Sequence, residues 1–230
     1  MNKKNEPIIT CKNICKHYGE GTTRVDALRG INLEINRSEL RMLMGPSGSG
    51  KTTLVSIMAG ILTQSSGECL IDNISLSQLS DREKTLYRGK NIGFVFQAFN
   101  LIPTLTCEEN ISVPLIILGA AKELALEKAK QLMVDMEMGD KIGKLPTELS
   151  GGQQQRIAIA RALVHDPMIV VCDEPTSFLD MHSGQKIMEL LKVLVEQKGI
   201  TLVVITHDPR IVQYAHQIDY IEDGLINKTS

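Results

Sequence analysis

The octapeptide Gly45-Pro46-Ser47-Gly48-Ser49-Gly50-Lys51-Thr52 gathers three glycines, two serines, a lysine and a threonine in one run, with Thr53 directly after it. Glycines allow successive backbone N–H groups to turn toward one centre, and a helix starting there adds the positive end of its dipole. Set between the apolar run Leu40 to Met44 and a helical pattern over Thr52 to Ala59, such a loop is suited to hold phosphate. Lys51 is placed to reach the β- and γ-phosphates of a nucleotide, and the Thr52 hydroxyl to ligate Mg2+. A second run, Met168-Ile169-Val170-Val171-Cys172-Asp173-Glu174, is an apolar strand that delivers two carboxylates to its C-terminal end, where open α/β sheets bind ligands. Asp173 is suited to hold Mg2+, directly or through water, and Glu174 to orient or deprotonate an attacking water.

Many kinases and GTPases share those two motifs, so a third segment decides between them: Leu149-Ser150-Gly151-Gly152-Gln153-Gln154-Gln155-Arg156. It is a second glycine-bearing loop at a helix start, with Ser150 both an N-cap and a hydroxyl donor, and hence a second anion site far along the chain from the first. This segment resembles the signature sequence of ATP-binding cassette (ABC) ATPases. The resemblance extends over nearly the whole chain. Tyr18 resembles the aromatic residue that stacks on adenine. Gln97, after the apolar run Ile92 to Phe96, resembles the Q-loop glutamine that touches Mg2+ and senses a membrane partner. Phe178-Leu179-Asp180 is similar to the D-loop, and His207 to the switch histidine that contacts the γ-phosphate.

The resemblance implies ATP and Mg2+ as ligands, and a head-to-tail pair of cassettes in which each ATP lies between the Lys51 loop of one copy and the Ser150-Gly151-Gly152 loop of the other. It also implies a separate integral membrane permease, whose coupling helix would enter a groove beside Gln97. The stretch from Phe96 to Thr106, with Glu109-Asn110, resembles the group containing the lipoprotein-releasing and macrolide-exporting ATPases LolD and MacB. The chain departs from the commoner pattern at Ser38, where a turn glycine is usual, at Arg41 inside the strand before the phosphate loop, and at Ser177-Phe178. The alternative is an ABC ATPase serving a non-transport complex, such as a cell-division or cofactor-assembly accessory. A DNA-repair type is disfavoured, because no heptad run separates Lys51 from Ser150.

To position these residues, the pattern predicts strands over Ile8 to Cys15, Leu28 to Ile35 and Leu40 to Met44, and a strand from Ile200 to Thr206. Helices are expected after the capping boxes Ser80-Asp81-Arg82-Glu83 and Thr106-Cys107-Glu108-Glu109, over Lys122 to Met138, over Gln153 to Val164 and over Ser183 to Gln197. A hairpin is expected over Tyr220 to Ile226. The β-α-β-α order implies an α/β fold with a largely parallel sheet. The expected organisation is a single ATP-binding domain over residues 1–230: a P-loop NTPase (RecA-like) core, an N-terminal antiparallel β subdomain, and a helical insertion. Residues 1–97 and 156–230 are assigned to the β subdomain and core, about 98–155 to the insertion.

Composition sets the outer bounds. At 230 residues, 43% hydrophobic, 23% charged and with net charge -2, the chain reads as one globular unit, and this balance does not suggest a dedicated nucleic-acid binder, whose affinity usually rests on a clustered basic face. The stretch Val113 to Ala121 is interrupted by proline and glycine and is too short to cross a bilayer, for which about 20 apolar residues are needed. Residues 1–6 carry no apolar signal segment, so a cytoplasmic location, peripheral on the inner membrane, is expected. Five cysteines without a CxxC pair are expected to be reduced thiols.

Overall fold

The computed structural model describes residues 7–227; residues 1–6, where no signal segment is expected, lie outside the described residues. In chain order the elements are β1 (Pro7–Tyr18), β2 (Val25–Asn36), β3 (Leu40–Met44), α1 (Lys51–Met58), β4 (Ser66–Ile71), β5 (Ile74–Ser75), α2 (Asp81–Asn91), β6 (Ile92–Val95), α3 (Cys107–Ile117), α4 (Lys122–Asp135), α5 (Gly151–Leu163), β7 (Ile169–Asp173), α6 (Met181–Lys198), β8 (Thr201–Thr206), β9 (Gln217–Glu222) and β10 (Leu225–Asn227).

They build two sheets. One is antiparallel, in the order β2-β1-β4-β5; the other has six strands in the order β10-β9-β3-β8-β7-β6, parallel from β9 to β6, with β10 closing the expected hairpin. Strands β3 and β8 are buried along their whole length, and so is β7 apart from Asp173. That is why they read as continuous apolar runs rather than alternating ones. Their period of two still sorts side chains into two layers. Val170, Cys172, Leu202 and Val204 face the cluster built with α3, α4, α5 and α6. Val171, Val203 and Ile205 face the one built with α1 and the antiparallel sheet.

Helix starts follow local chemistry. Ser80 with Glu83, Thr106 with Glu109 and Ser150 with Gln153 each close a reciprocal capping box. Helix α5 begins at Gly151, two residues ahead of the Gln153 expected from periodicity, because the Ser150 cap carries both glycines into the first turn. Helix α4 stops at Asp135, short of the expected Met138. The Val113 to Ala121 stretch becomes the end of α3 and a turn, and no helix among the described residues is long and apolar enough to cross a membrane.

Two departures from the common pattern have local explanations. Ser38 takes the left-handed conformation (φ 57°) that glycine adopts more readily; its N–H donates to Thr201 Oγ1 at 3.0 Å and its hydroxyl to the Gly199 carbonyl at 3.0 Å. Arg41, in mid-strand, is buried but paired with two carboxylates. Its guanidinium lies 3.2 Å from both Glu39 Oε1 and Asp219 Oδ2, and donates to the Gln217 side chain and the Glu34 carbonyl. A buried arginine is tolerated on such terms, and this one ties β3 to β9.

The segment between β6 and α3 is fixed by Asn110, which is fully buried. Its amide donates to the carbonyls of Ile102, Leu105 and Thr106, and its oxygen accepts from the Ile102 N–H at 2.7 Å. Asn110→Ala removes the side-chain partner of the Ile102 N–H and of the Leu105 carbonyl and is expected to lower the unfolding free energy by about 2 kcal/mol. Urea denaturation measures this, with the exposed Lys130→Ala as control; an unchanged midpoint for Asn110→Ala would refute the structural role.

Candidate functional site

The phosphate loop lies between β3 and α1 and wraps one end of the parallel sheet. Gly45 (φ 145°) and Gly50 (φ 101°) are required for room as well as for angle: a Cβ on Gly45 would sit 2.0 Å from the Ile221 carbonyl oxygen, and one on Gly50 2.4 Å from that of Ala27. Lys51 curls back over the loop, donating to the carbonyls of Gly45 (2.8 Å) and Pro46 (2.7 Å) and to Ser49 Oγ (3.3 Å). A cleft of about 540 Å³ opens over this loop. Its walls are the run from Gly45 through Thr53, including Ser47, Gly48, Ser49 and Thr52, together with Ala27, Gln97, Asp173, Glu174, Ile205 and His207.

Asp173 ends β7, and Glu174 follows it in a left-handed conformation (φ 48°). The Glu174 N–H donates to the Ile205 carbonyl at 2.9 Å, and the Glu174 carbonyl accepts from the Ser177 N–H and hydroxyl. These backbone bonds turn the side chain into the cleft. One carboxylate oxygen lies 2.5 Å from His207 Nδ1, and the other accepts from the Thr206 hydroxyl at 3.2 Å. Burial pushes the Lys51 ammonium below its ordinary pKa, against the charges of Glu174 and Asp173, which raise it. Burial likewise raises the Asp173 carboxyl, Glu174 adds to the rise, and Lys51 opposes it. A cationic loop and two acids therefore share one partly dehydrated cleft, an arrangement suited to polyphosphate and a hard cation.

The remaining predicted residues stand outside that cleft. Ser150, Gly151 and Gly152 form the start of α5, and Asp180 caps α6, accepting from the Ser183 N–H (3.0 Å) and hydroxyl (2.6 Å). The Ser183 bonds hold the Asp180 carboxyl below the usual range. The two motifs adjoin one another: a Cβ added to Gly151 would lie 3.5 Å from the Phe178 carbonyl, and the rings of Phe99 and Phe178 meet edge-on with centroids 6.1 Å apart. Tyr18, at the end of β1, is 44% exposed, and the Lys16 ammonium lies 5.3 Å from its ring centre.

Two residues were not anticipated. Thr206, at the end of β8, touches Glu174 through a side-chain bond that only the strand register reveals. Arg161 donates to the carbonyls of Phe99 (2.7 Å) and Asn100 (2.5 Å), both left-handed, and so holds the turn that follows Gln97. A hydroxyl beside a candidate histidine was the one available signal for the first; nothing local marked the second.

The fold and the cleft together define a P-loop nucleoside triphosphatase. The ABC transporter family model matches residues 28–177. The chain is 43% identical over 225 residues to the ABC transporter ATP-binding protein MJ0796 of Methanocaldococcus jannaschii, covering 96% of each. It is 38% identical over 222 residues to the lipoprotein-releasing system ATP-binding protein LolD of Saccharophagus degradans, covering 96% of this chain and 97% of LolD. Identity to the macrolide export ATP-binding/permease protein MacB of Aggregatibacter actinomycetemcomitans is 42% over 219 residues, 95% of this chain but 34% of MacB. A dimeric structure of MJ0796 bound to ADP and Pi superposes with a TM-score of 0.87 at 42% identity, covering 96% of this chain and 97% of that one. The chain belongs to the ABC transporter family, as an ATP-binding and ATP-hydrolysing cassette related to the MacB and LolD ATPases.

The glycine geometry makes a graded prediction. Gly45→Ala and Gly50→Ala drive a methyl group into backbone oxygen and are expected to abolish nucleotide binding. At Gly48 (φ 79°) an added Cβ meets nothing within 4 Å, so only backbone strain of about 1 kcal/mol is incurred, a loss of roughly tenfold or less. Equilibrium binding of a fluorescent ATP analogue measures all three, and equal losses would contradict the packing account.

Proposed function

We propose that this cassette hydrolyses MgATP with Glu174 as the base for the attacking water and transmits the resulting motion to a membrane permease. The observation that carries the reading is the Glu174 carboxylate, gripped by His207 and Thr206 at the rim of the cleft that also holds Lys51 and Asp173. The protein donors of that cleft suit Mg2+: a hydroxyl (Thr52), a carboxylate (Asp173) and an amide oxygen (Gln97) are hard oxygen ligands, and few carboxylates are needed where phosphates supply the rest. When bound, the cation neutralises charge on the β- and γ-phosphate oxygens.

The chain's own groups do the remainder. Backbone N–H groups from Ser47 to Thr53 cradle the phosphates, and Lys51 exchanges its loop carbonyls for phosphate oxygens. Glu174 accepts the proton of the water as it attacks, and His207 turns to the γ-phosphate. Tyr18 offers its ring to adenine. Ser150, Gly151 and Gly152 of a second copy, with its Asp180, close over the same nucleotide, giving a homodimer with two composite sites. Dimerisation of MJ0796 supports this arrangement. The permease partner and a role in lipoprotein extraction or export rest on the likeness to LolD and MacB. Such a subunit sits on the cytoplasmic face of the membrane and has no use for nucleic acid.

Glu174→Gln retains every phosphate contact and loses the base. Turnover is expected to fall at least about a hundredfold while ATP affinity stays within about twofold. Steady-state ATPase assays and equilibrium binding test this, and wild-type turnover under saturating MgATP would remove Glu174 from its role.

A further inference from the structure

We infer that Thr206 is the positioning residue that keeps the Glu174 carboxylate aimed while His207 is engaged elsewhere. Thr206 is the last residue of β8 and is completely buried. Its hydroxyl oxygen accepts the Asp208 N–H at 3.0 Å, so one lone pair is committed to backbone and the hydroxyl hydrogen is left to donate. The acceptor is Glu174 Oε2 at 3.2 Å. A β-branched side chain on a strand has little freedom at χ1, so the hydroxyl stays where the backbone puts it.

His207 contrasts with this. It holds the other carboxylate oxygen at 2.5 Å, yet its side chain is 70% exposed, against 12% for Glu174. A carboxylate offers only acceptors, so Nδ1 carries the hydrogen they share. A histidine that swings toward a γ-phosphate gives up this bond. The Thr206 bond does not depend on that swing, because the Thr206 N-terminal neighbour, Ile205, also accepts the Glu174 N–H at 2.9 Å and clamps the two strand ends together. His207 is thus the exchangeable partner of Glu174 and Thr206 the fixed one.

This inference rests on Glu174 being the base, and the test separates the two ideas. Thr206→Val, which keeps the shape and removes the hydroxyl, and Thr206→Ser, which keeps the hydroxyl, are made in the full chain with native Glu174 and with Glu174→Ala. Steady-state ATPase assays, single-turnover hydrolysis, analogue binding and melting temperature are recorded for each. Thr206→Val is expected to lower kcat about ten- to a hundredfold, the loss typical of a hydrogen bond to a charged group, with KM and binding within about twofold. Thr206→Ser is expected within about threefold of native. On Glu174→Ala, the valine should remove no further activity. If valine disturbs folding, seen as a lowered melting temperature, Thr206→Ala carries the same expectation. Native kcat in Thr206→Val, or an equal loss with and without Glu174, overturns the inference. Native turnover in Glu174→Ala alone instead overturns the assignment of the base.

Discussion

One electrostatic constraint governs the rest of the structure: an ammonium and two adjacent carboxylates are drawn partly out of water at the end of a single sheet. Dehydration disfavours the charged forms of Lys51 and Asp173; at Lys51 the charges of Glu174 and Asp173 oppose it, and at Asp173 the charge of Lys51 does. Groups in this situation keep useful charge only if their distances are fixed by something stiffer than their own flexible stems. The parallel sheet supplies that stiffness. Met44, before the phosphate loop, is level with Thr206; Asp173 is level with Ile205; Val95, before Gln97, is level with Cys172. Four segments far apart in sequence therefore leave the sheet side by side, at the ends where such folds bind ligands.

The phosphate loop depends on the same framework from below. Gly45 lies on the Ile221 carbonyl, so β9 must stay in register with β3. The buried Arg41, held between Glu39, Asp219 and Gln217, fastens those two strands near the end away from the loop. Removing the arginine while leaving its acidic partners would leave an uncompensated buried charge at the seam between β3 and β9. A residue that departs from the common pattern thus supports the chemistry without touching it.

Much of this was legible in the sequence, for reasons specific to each segment. The loop from Gly45 to Thr52, the acids ending β7 and the caps at Ser80, Thr106 and Ser150 are local signals, in which neighbouring residues fix the backbone. Gln97 and His207 became legible only through resemblance, since neither residue type implies a site by itself, yet both line the cleft. Thr206 and Arg161 act across strand and helix neighbours, and no spacing in one chain encodes which strands will adjoin. Helix α5 starts two residues ahead of its apolar periodicity because glycines hide a helical pattern that their serine cap nevertheless extends.

The signature residues stand apart from the cleft, so within one copy the site lacks the Ser150 loop that the proposed mechanism requires. Mixing two inactive variants tests this most directly. Lys51→Ala disables the phosphate loop and Ser150→Arg blocks the signature loop, so each variant alone carries two damaged sites. A mixed dimer pairs the intact Ser150 loop of the first with the intact Lys51 loop of the second and rebuilds one site. The account predicts that ATPase activity returns on mixing and rises with protein concentration, as an association must. A Ser150→Arg protein that hydrolyses ATP at the native rate as a demonstrated monomer would contradict it.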